Sequence, residues 1–289
     1  MNTTQLSLRA SLLSLFALCF AQGCAPVDDA DPTASGSDEI VNGSAVSAST
    51  QESLGLVNVA NRCSGTLLNN RWVLTALHCV DPSVAPNFNV TFGTQSRAVD
   101  RYGFVSTGDL VLLHVSSPFV TRVPNPRLGQ ILFTTTGYRR ALHTAAPSTL
   151  LGSTLSCYGI GITGFAPGGG LTGGGTFATA NLSVSSVSGT QIYFNPNTFG
   201  QITAPGDSGG PCFQIVNGSA VLASAVRGGG WSCPSTNPGC TINQATGITW
   251  SDQTTVSGVA SQITSSPLTK LLLSRLSVSL IWMPFTVQR

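Results

Sequence analysis

The chain has 289 residues, of which only 8% are charged, with 32 Gly and a net charge of +2. That length suits one large β domain or two small ones, and a composition poor in helix formers and rich in turn formers excludes a helical bundle. So mild a charge, with the arginines scattered along the chain, excludes nucleic acid as a partner.

The apolar run Leu12–Phe20 follows Arg9 and precedes small and polar residues, so residues 1–23 read as an export signal rather than a spanning helix. The protein is therefore expected outside the cell. Ala21-Gln22-Gly23-Cys24 resembles a bacterial lipoprotein cleavage site, although Ala21 and Gln22 depart from it. Two readings of this leader stay open: ordinary cleavage to give a secreted protein, or acylation of Cys24, which would anchor a precursor to a membrane without spanning it. Residues 25–39, APVDDADPTASGSDE, are acidic and almost free of apolar side chains, so residues 24–39 form a linker or propeptide and not part of a core.

The composition changes sharply at Ile40. From there short β-branched and aliphatic runs alternate with Gly, Asn, Pro and Ser clusters, and strands are expected at Ser53–Val59, Ser64–Leu68, Trp72–Thr75, Phe88–Phe92, Asp109–His114, Thr154–Tyr158, Gln191–Phe194, Pro211–Val216 and Ala220–Val226. Recurrent strands with frequent turn signals indicate a barrel or sandwich. Residues 159–175, GIGITGFAPGGGLTGGG, are too glycine-rich to hold one conformation unaided and read as a mobile loop; they lack the Lys-Ser/Thr ending of a phosphate cradle. A docked helix is expected near Val256–Ile263. Residues 265–289 form an extension without an assigned role, in which Arg275 interrupts a leucine-rich stretch too short to span a membrane. Six cysteines lie in the body of the chain, Cys63, Cys79, Cys157, Cys212, Cys233 and Cys240, an even number that suits three disulfides in an oxidising compartment.

Two segments carry chemistry. Leu74-Thr75-Ala76-Leu77-His78-Cys79 is a strand ending in His and Cys, and Gly206-Asp207-Ser208-Gly209-Gly210-Pro211 sets a serine among glycines. Acyl transfer by serine needs a base within hydrogen-bond reach of the hydroxyl, a carboxylate to hold that base, and N–H donors where the oxyanion forms. Glycines beside the serine permit a tight turn that exposes Oγ and aims the amides of Gly206 and Ser208 at a carbonyl oxygen. His114 and His143, the other two histidines, are read as structural. No metal or cofactor is called for, because the His and Cys residues have other roles and the acidic residues do not cluster.

Together with Gly108-Asp109-Leu110-Val111-Leu112-Leu113, these segments resemble the active-site motifs of the chymotrypsin/trypsin-like serine proteases, in the manner of a secreted bacterial member. The resemblance runs from Ile40 to about Ile263, and the order His, Asp, Ser fits this family and not the subtilisin or α/β-hydrolase orders. It implies an all-β fold of two six-stranded antiparallel β-barrels with a short C-terminal helix, a protease domain over residues 40–264, and a triad of His78, Asp109 and Ser208. The implied enzyme is a monomeric serine endopeptidase acting on protein or peptide substrates. It also implies activation by another protease that cuts after Glu39, where the family commonly has a basic residue, so that the amine of Ile40 pairs with Asp207. Cys63–Cys79 matches the family's bridge beside the catalytic histidine. Cys157 and Cys212 are each displaced by two residues in opposite senses, which on antiparallel strands gives another facing pair, and Cys233 is left to pair with Cys240.

Three departures bear on activity. Leu77 replaces a small residue before the histidine, Val226 stands where the family often has a serine bonded to the triad aspartate, and Ile202 stands at the base of the primary pocket where trypsin-like members carry Asp. Gly228 and Gly239 resemble the pocket-wall glycines. A pocket of Ile202, Gly228 and Gly239 accepts an apolar side chain and disfavours Lys or Arg, which would be buried unpaired. Two other readings stay open at this level: an inactive protease-fold binding module, and an esterase using the same site.

Overall fold

Alternation of inward and outward side chains builds two closed rings of strands. The computed structural model describes residues 40–105, 108–125, 130–165, 171–241, 244–257 and 259. The expected export signal, Cys24, the segment 25–39 and the extension 265–289 lie outside the described residues. So does most of the helix expected near Val256–Ile263, of which Ser257 and Val259 have helical backbone.

The first ring contains β1 (Leu56–Val59), β2 (Cys63–Asn69), β3 (Trp72–Ala76), β4 (Asn89–Phe92), β5 (Gln95–Phe104) and β6 (Leu110–Val115), closed in the order β1-β2-β3-β6-β5-β4. The second contains β7 (Thr154–Gly159), β8 (Ala178–Ser188), β9 (Gln191–Phe194), β10 (Pro211–Val216), β11 (Ser219–Ser232) and β12 (Gly247–Thr255). Its pairings run β7-β8-β9-β12-β11-β10 and return to β7, so the two rings share one topology. All of these pairs are antiparallel, and closure gives every strand of each ring a neighbour on both sides over at least part of its length. The expected fold class is the one the chain adopts.

One expectation gives way. Ser53 and Leu54 belong to helix α1 (Ala48–Leu54) and not to the strand, which begins at Leu56. The reason is local: Ser47 caps the helix by accepting the N–H of Thr50, and Gly55 ends it at φ 67.

Because side chains alternate along a strand, each barrel strand feeds two cores. Val57, Val73, Val111 and Leu113 fill the first barrel with Val90, Phe92 and Phe119, while Leu56, Leu74 and Leu110 on the same strands face the second barrel. There they pack with Phe213, Leu222, Ala225 and Val256, so one apolar cluster joins the two rings. The second barrel is filled by Leu155, Ala180, Leu182, Val184, Ile192 and Phe194. Its small Ala and Ser positions explain why β8 lacks a strong hydrophobic signature.

Disulfides join Cys63 to Cys79, Cys157 to Cys212 and Cys233 to Cys240. Cys157 and Cys212 are directly opposed on β7 and β10, as their opposite displacements required. The Cys63–Cys79 bridge closes a loop of 16 positions, an entropic restraint on the unfolded chain of roughly 3 kcal/mol.

His114 is nearly buried on β6. Its Nδ1–H donates to Asp100 Oδ1 at 2.6 Å, its Nε2 accepts from Arg101 Nη2 at 3.2 Å, and its ring meets Trp72 edge-on. Both nitrogens are thereby satisfied in the neutral form. Burial pushes the pKa below the ordinary imidazole range, and the Asp100 carboxylate only partly opposes it. Burial lowers the pKa of His143 as well.

Two outcomes are expected. Gly209 has φ 78, and a Cβ there would lie 2.1 Å from Thr75 Oγ1 and 2.5 Å from Ser64 O, whereas Gly218 has φ 74 with nothing within 4 Å. In urea unfolding, Gly218→Ala should cost about 1 kcal/mol for backbone strain alone and Gly209→Ala about 2–4 kcal/mol, since it adds a clash with first-barrel backbone; equal costs would refute the clash. Second, a depressed histidine pKa means the unfolded chain takes up protons that the folded chain refuses. The stabilisation is complete above the ordinary value of about 6.5 and is lost as the pH falls from there toward the lower folded values. Thermal melts between about pH 7.5 and 5 should show that loss, and a smaller one in His114→Gln; an identical slope in the variant would place the acid sensitivity elsewhere.

Candidate active site

The pairing of β3 with β6 sets Ala76 opposite Leu110, so the residues just past one strand and just before the other meet at the same end of the first barrel. Leu77–Cys79 turns there as a short 3-10 segment. Leu77 N–H donates to Asp109 O at 3.2 Å and His78 N–H to Asp109 Oδ1 at 2.9 Å. The other carboxylate oxygen, Oδ2, accepts from His78 Nδ1 at 2.5 Å. A carboxylate can only accept here, so Nδ1 carries the proton and Nε2 presents its lone pair.

Ser208 comes from the second barrel, in the turn between β9 and β10. Its Oγ lies 2.8 Å from His78 Nε2. The turn is held by Asp207 N–H to Ala204 O, Gly210 N–H to Asp207 O and Gly209 N–H to Val226 O. Among the described residues the two amides left over, those of Gly206 and Ser208, have no acceptor. An unpaired amide next to a reactive hydroxyl is a costly arrangement unless a ligand supplies the acceptor.

Residues missed by sequence reasoning bind this turn to the first barrel. Ser64 N–H donates to Ser208 O at 2.9 Å, Ser64 Oγ donates to Gly206 O at 3.1 Å and accepts from Ile160 N–H at 2.9 Å, and Thr75 Oγ1 donates to Ser64 O. Ser64 is fully buried and adjoins Cys63, whose partner Cys79 adjoins His78. A lone serine after a cysteine carries no sequence signal for such a role.

Asp207 is fully buried, and its carboxylate accepts from Gly161 N–H at 2.8 Å and Ala204 N–H at 2.7 Å. The start of the glycine-rich segment packs directly on it: a Cβ on Gly159 would come within 2.0 Å of Asp207 Oδ1. Those glycines thus make room for a carboxylate in addition to forming a loop. Ile40 is fully buried in the second barrel's core, with Val41 N–H bonded to Ile202 O.

A cavity of ≈ 660 Å³ opens beside the histidine, with Leu77, His78, Gly108 and Asp109 at one end. Gln191, Arg227, Gly228, Trp250 and Asp252 line the other end. Of the three residues expected to form a specificity pocket, Gly228 lies on this cavity. Ile202 is packed within the second barrel, and Gly239 lies in the Cys233–Cys240 loop with open space around it. Val226 is buried and bonds to the serine turn through its backbone, and among the described residues both hydrogen bonds that the Asp109 carboxylate accepts come from His78. Among the described residues no group of three His, Cys, Asp or Glu side chains gathers in a way that could hold a metal ion.

In chemical terms, a hydroxyl is bonded to a lone pair on a ring whose far side is held by a carboxylate, with two free amides alongside. That set is suited to acyl transfer through a serine ester. A profile of the trypsin family matches residues 40–250. With a match over most of its length, and the double barrel that carries it, the chain belongs to the trypsin family and is a serine endopeptidase that hydrolyses peptide bonds.

Proposed function

We propose that Ser208 is the nucleophile of this endopeptidase, His78 its general base and Asp109 the group that holds and stabilises the imidazolium. Oγ attacks the scissile carbonyl while its proton passes to His78 Nε2, and the amides of Gly206 and Ser208 donate to the oxyanion. His78 then returns the proton to the leaving amine, and water repeats the sequence on the acyl-enzyme. The observation that carries the reading is the 2.8 Å contact between Nε2 and Oγ beside two amides without acceptors. A place for the substrate backbone supports it: past Ala225, β11 pairs only with β12 among the described residues, leaving one edge of Arg227–Ser232 open to an added strand.

The enzyme is made as an exported precursor, with the apolar run Leu12–Phe20 directing export and a second protease cutting between Glu39 and Ile40. Support for the cut lies in the backbone. Ile40 has φ 77, an unfavourable value for a β-branched residue. This torsion exists only because Ile40 is linked to Glu39, so hydrolysis of that bond removes the constraint. The liberated amine then stabilises the buried carboxylate of Asp207, next to the amides that form the oxyanion site. If Cys24 is acylated, the same cut frees the domain from the membrane. Ile202, at the position expected for the pocket base, is apolar and packed in the second barrel, so no carboxylate is supplied there to a basic side chain, and cleavage after Lys or Arg is correspondingly poor.

Digestion of a peptide library tests the catalytic assignment and the specificity together. The matured enzyme should cut with few sites after Lys or Arg, and Ser208→Ala should lose on the order of 10⁴–10⁶ in turnover. Residual hydrolysis near the parent rate, or dominant cleavage after Arg, would refute the corresponding part. Activation is tested by replacing Glu39-Ile40 with a site for an added protease. Labelling by a fluorophosphonate should appear only after that protease acts and should be weak in Asp207→Asn; full labelling of the uncut chain would remove the zymogen reading.

A further inference from the structure

The far end of the active-site cavity carries one exposed cation and one nearly buried carboxylate. Arg227, on the open edge of β11, is 44% exposed in its side chain and donates from Nη1 to Asp252 Oδ2 at 2.5 Å, while the Asp252 side chain is 5% exposed. Both partners of this ion pair line the cavity, and the cation is by far the more exposed of the two. Nε and Nη2 of the guanidinium have no partner among the described residues. Beside it, Gln191 has its Oε1 taken by the Tyr193 hydroxyl at 2.8 Å, which leaves its amide N–H groups as the free function. Trp250 packs on Tyr193 with ring centroids 6.1 Å apart and lies against the bare backbone of Gly230, its indole N–H likewise unbonded among the described residues. The free side-chain donors here thus come from three residues around an aromatic wall, while the Asp109 carboxylate is engaged through both oxygens and that of Asp252 through Oδ2, with its Oδ1 beside Gly228.

Resting on Ser208 as the nucleophile, we infer that this end of the cavity is a subsite for an acidic side chain, Asp or Glu, on the acyl side of the scissile bond. Several features favour that class. A substrate strand added to the open edge of β11 runs past Arg227 on its way to Ser208. A carboxylate there accepts from the planar guanidinium, which Asp252 fixes in place, and its aliphatic stem lies on Trp250. A Lys or Arg side chain in the same place faces the exposed Arg227 cation, while the Asp252 carboxylate is nearly buried and already paired with that cation.

The test uses protein made from the full chain and matured, with peptide pairs that differ only in Asp against Asn, or Glu against Gln, at each of the three positions preceding the cleaved residue. At one of these positions the acidic peptide should show roughly tenfold higher kcat/KM, the size expected of one charge-assisted bond. The ratio should shrink as salt is raised, because the guanidinium is partly exposed. Arg227→Glu should turn the preference toward Lys at that position. Should this variant not fold, the salt dependence of the parent enzyme decides. Equal cleavage of every pair, a preference for Lys in the parent enzyme, or an unchanged profile in Arg227→Glu would overturn the inference while leaving Ser208 in its role. Absence of both hydrolysis and fluorophosphonate labelling would overturn that role, and the inference with it.

Discussion

One buried hydrogen bond, from Ser64 N–H to Ser208 O, fixes the position of the serine turn against the first barrel. Everything reactive depends on this contact, because His78 and Asp109 belong to one barrel and Ser208 to the other. The Cys63–Cys79 bridge extends the same restraint to the histidine turn. A two-residue segment, Cys63-Ser64, is therefore tied to both His78 and Ser208. Neighbouring atoms leave little freedom for it to move: Gly209 meets Thr75 and Ser64 at distances that admit no side chain. Interiors packed this closely transmit displacements and do not absorb them, which suits an arrangement that must hold a 2.8 Å contact between two separately closed sheets.

The same turn concentrates electrostatic tension. Asp207 and Ile40 are both fully buried, the former under amides from Gly161 and Ala204. Two amides flanking Asp207 have no acceptor among the described residues. Donors fixed in advance need no reorganisation when charge develops on a substrate oxygen. Burial of a carboxylate directly beneath them means that whatever neutralises Asp207 also governs their placement.

The motifs that name the family were legible because they are short and contiguous: the histidine turn, the serine turn and the strand after Asp109 each announce themselves within six residues. The apolar strands of the first barrel were legible for the same reason. Other elements were not, for physical causes that differ. β5 carries charged and polar side chains on its outer face, with Val99 its one buried position, so its alternation is faint. β8 fills the narrow second barrel with Ala178 and Ala180 before Leu182 and Val184, small residues that no hydrophobicity pattern emphasises. β12 buries a run of Ser, Asp, Gln and Thr from Ser251 to Thr255, which reads as a surface loop until its ladder partners are known. The ion pair of Arg227 and Asp252 spans 25 positions between adjacent strands, and only the register of β11 on β12 brings it to the cleft.

Identical strand order in the two rings has a consequence for the life of the polypeptide on the ribosome. The first ring closes with Val115, well before the serine has been synthesised, and it holds a base and a carboxylate with nothing to activate. The second ring needs Thr255 to close, so the nucleophile meets its base only near the end of translation. A fragment that stops short of the second ring therefore lacks the contact between His78 and Ser208, and the site is a property of the complete pair of modules and of neither one alone.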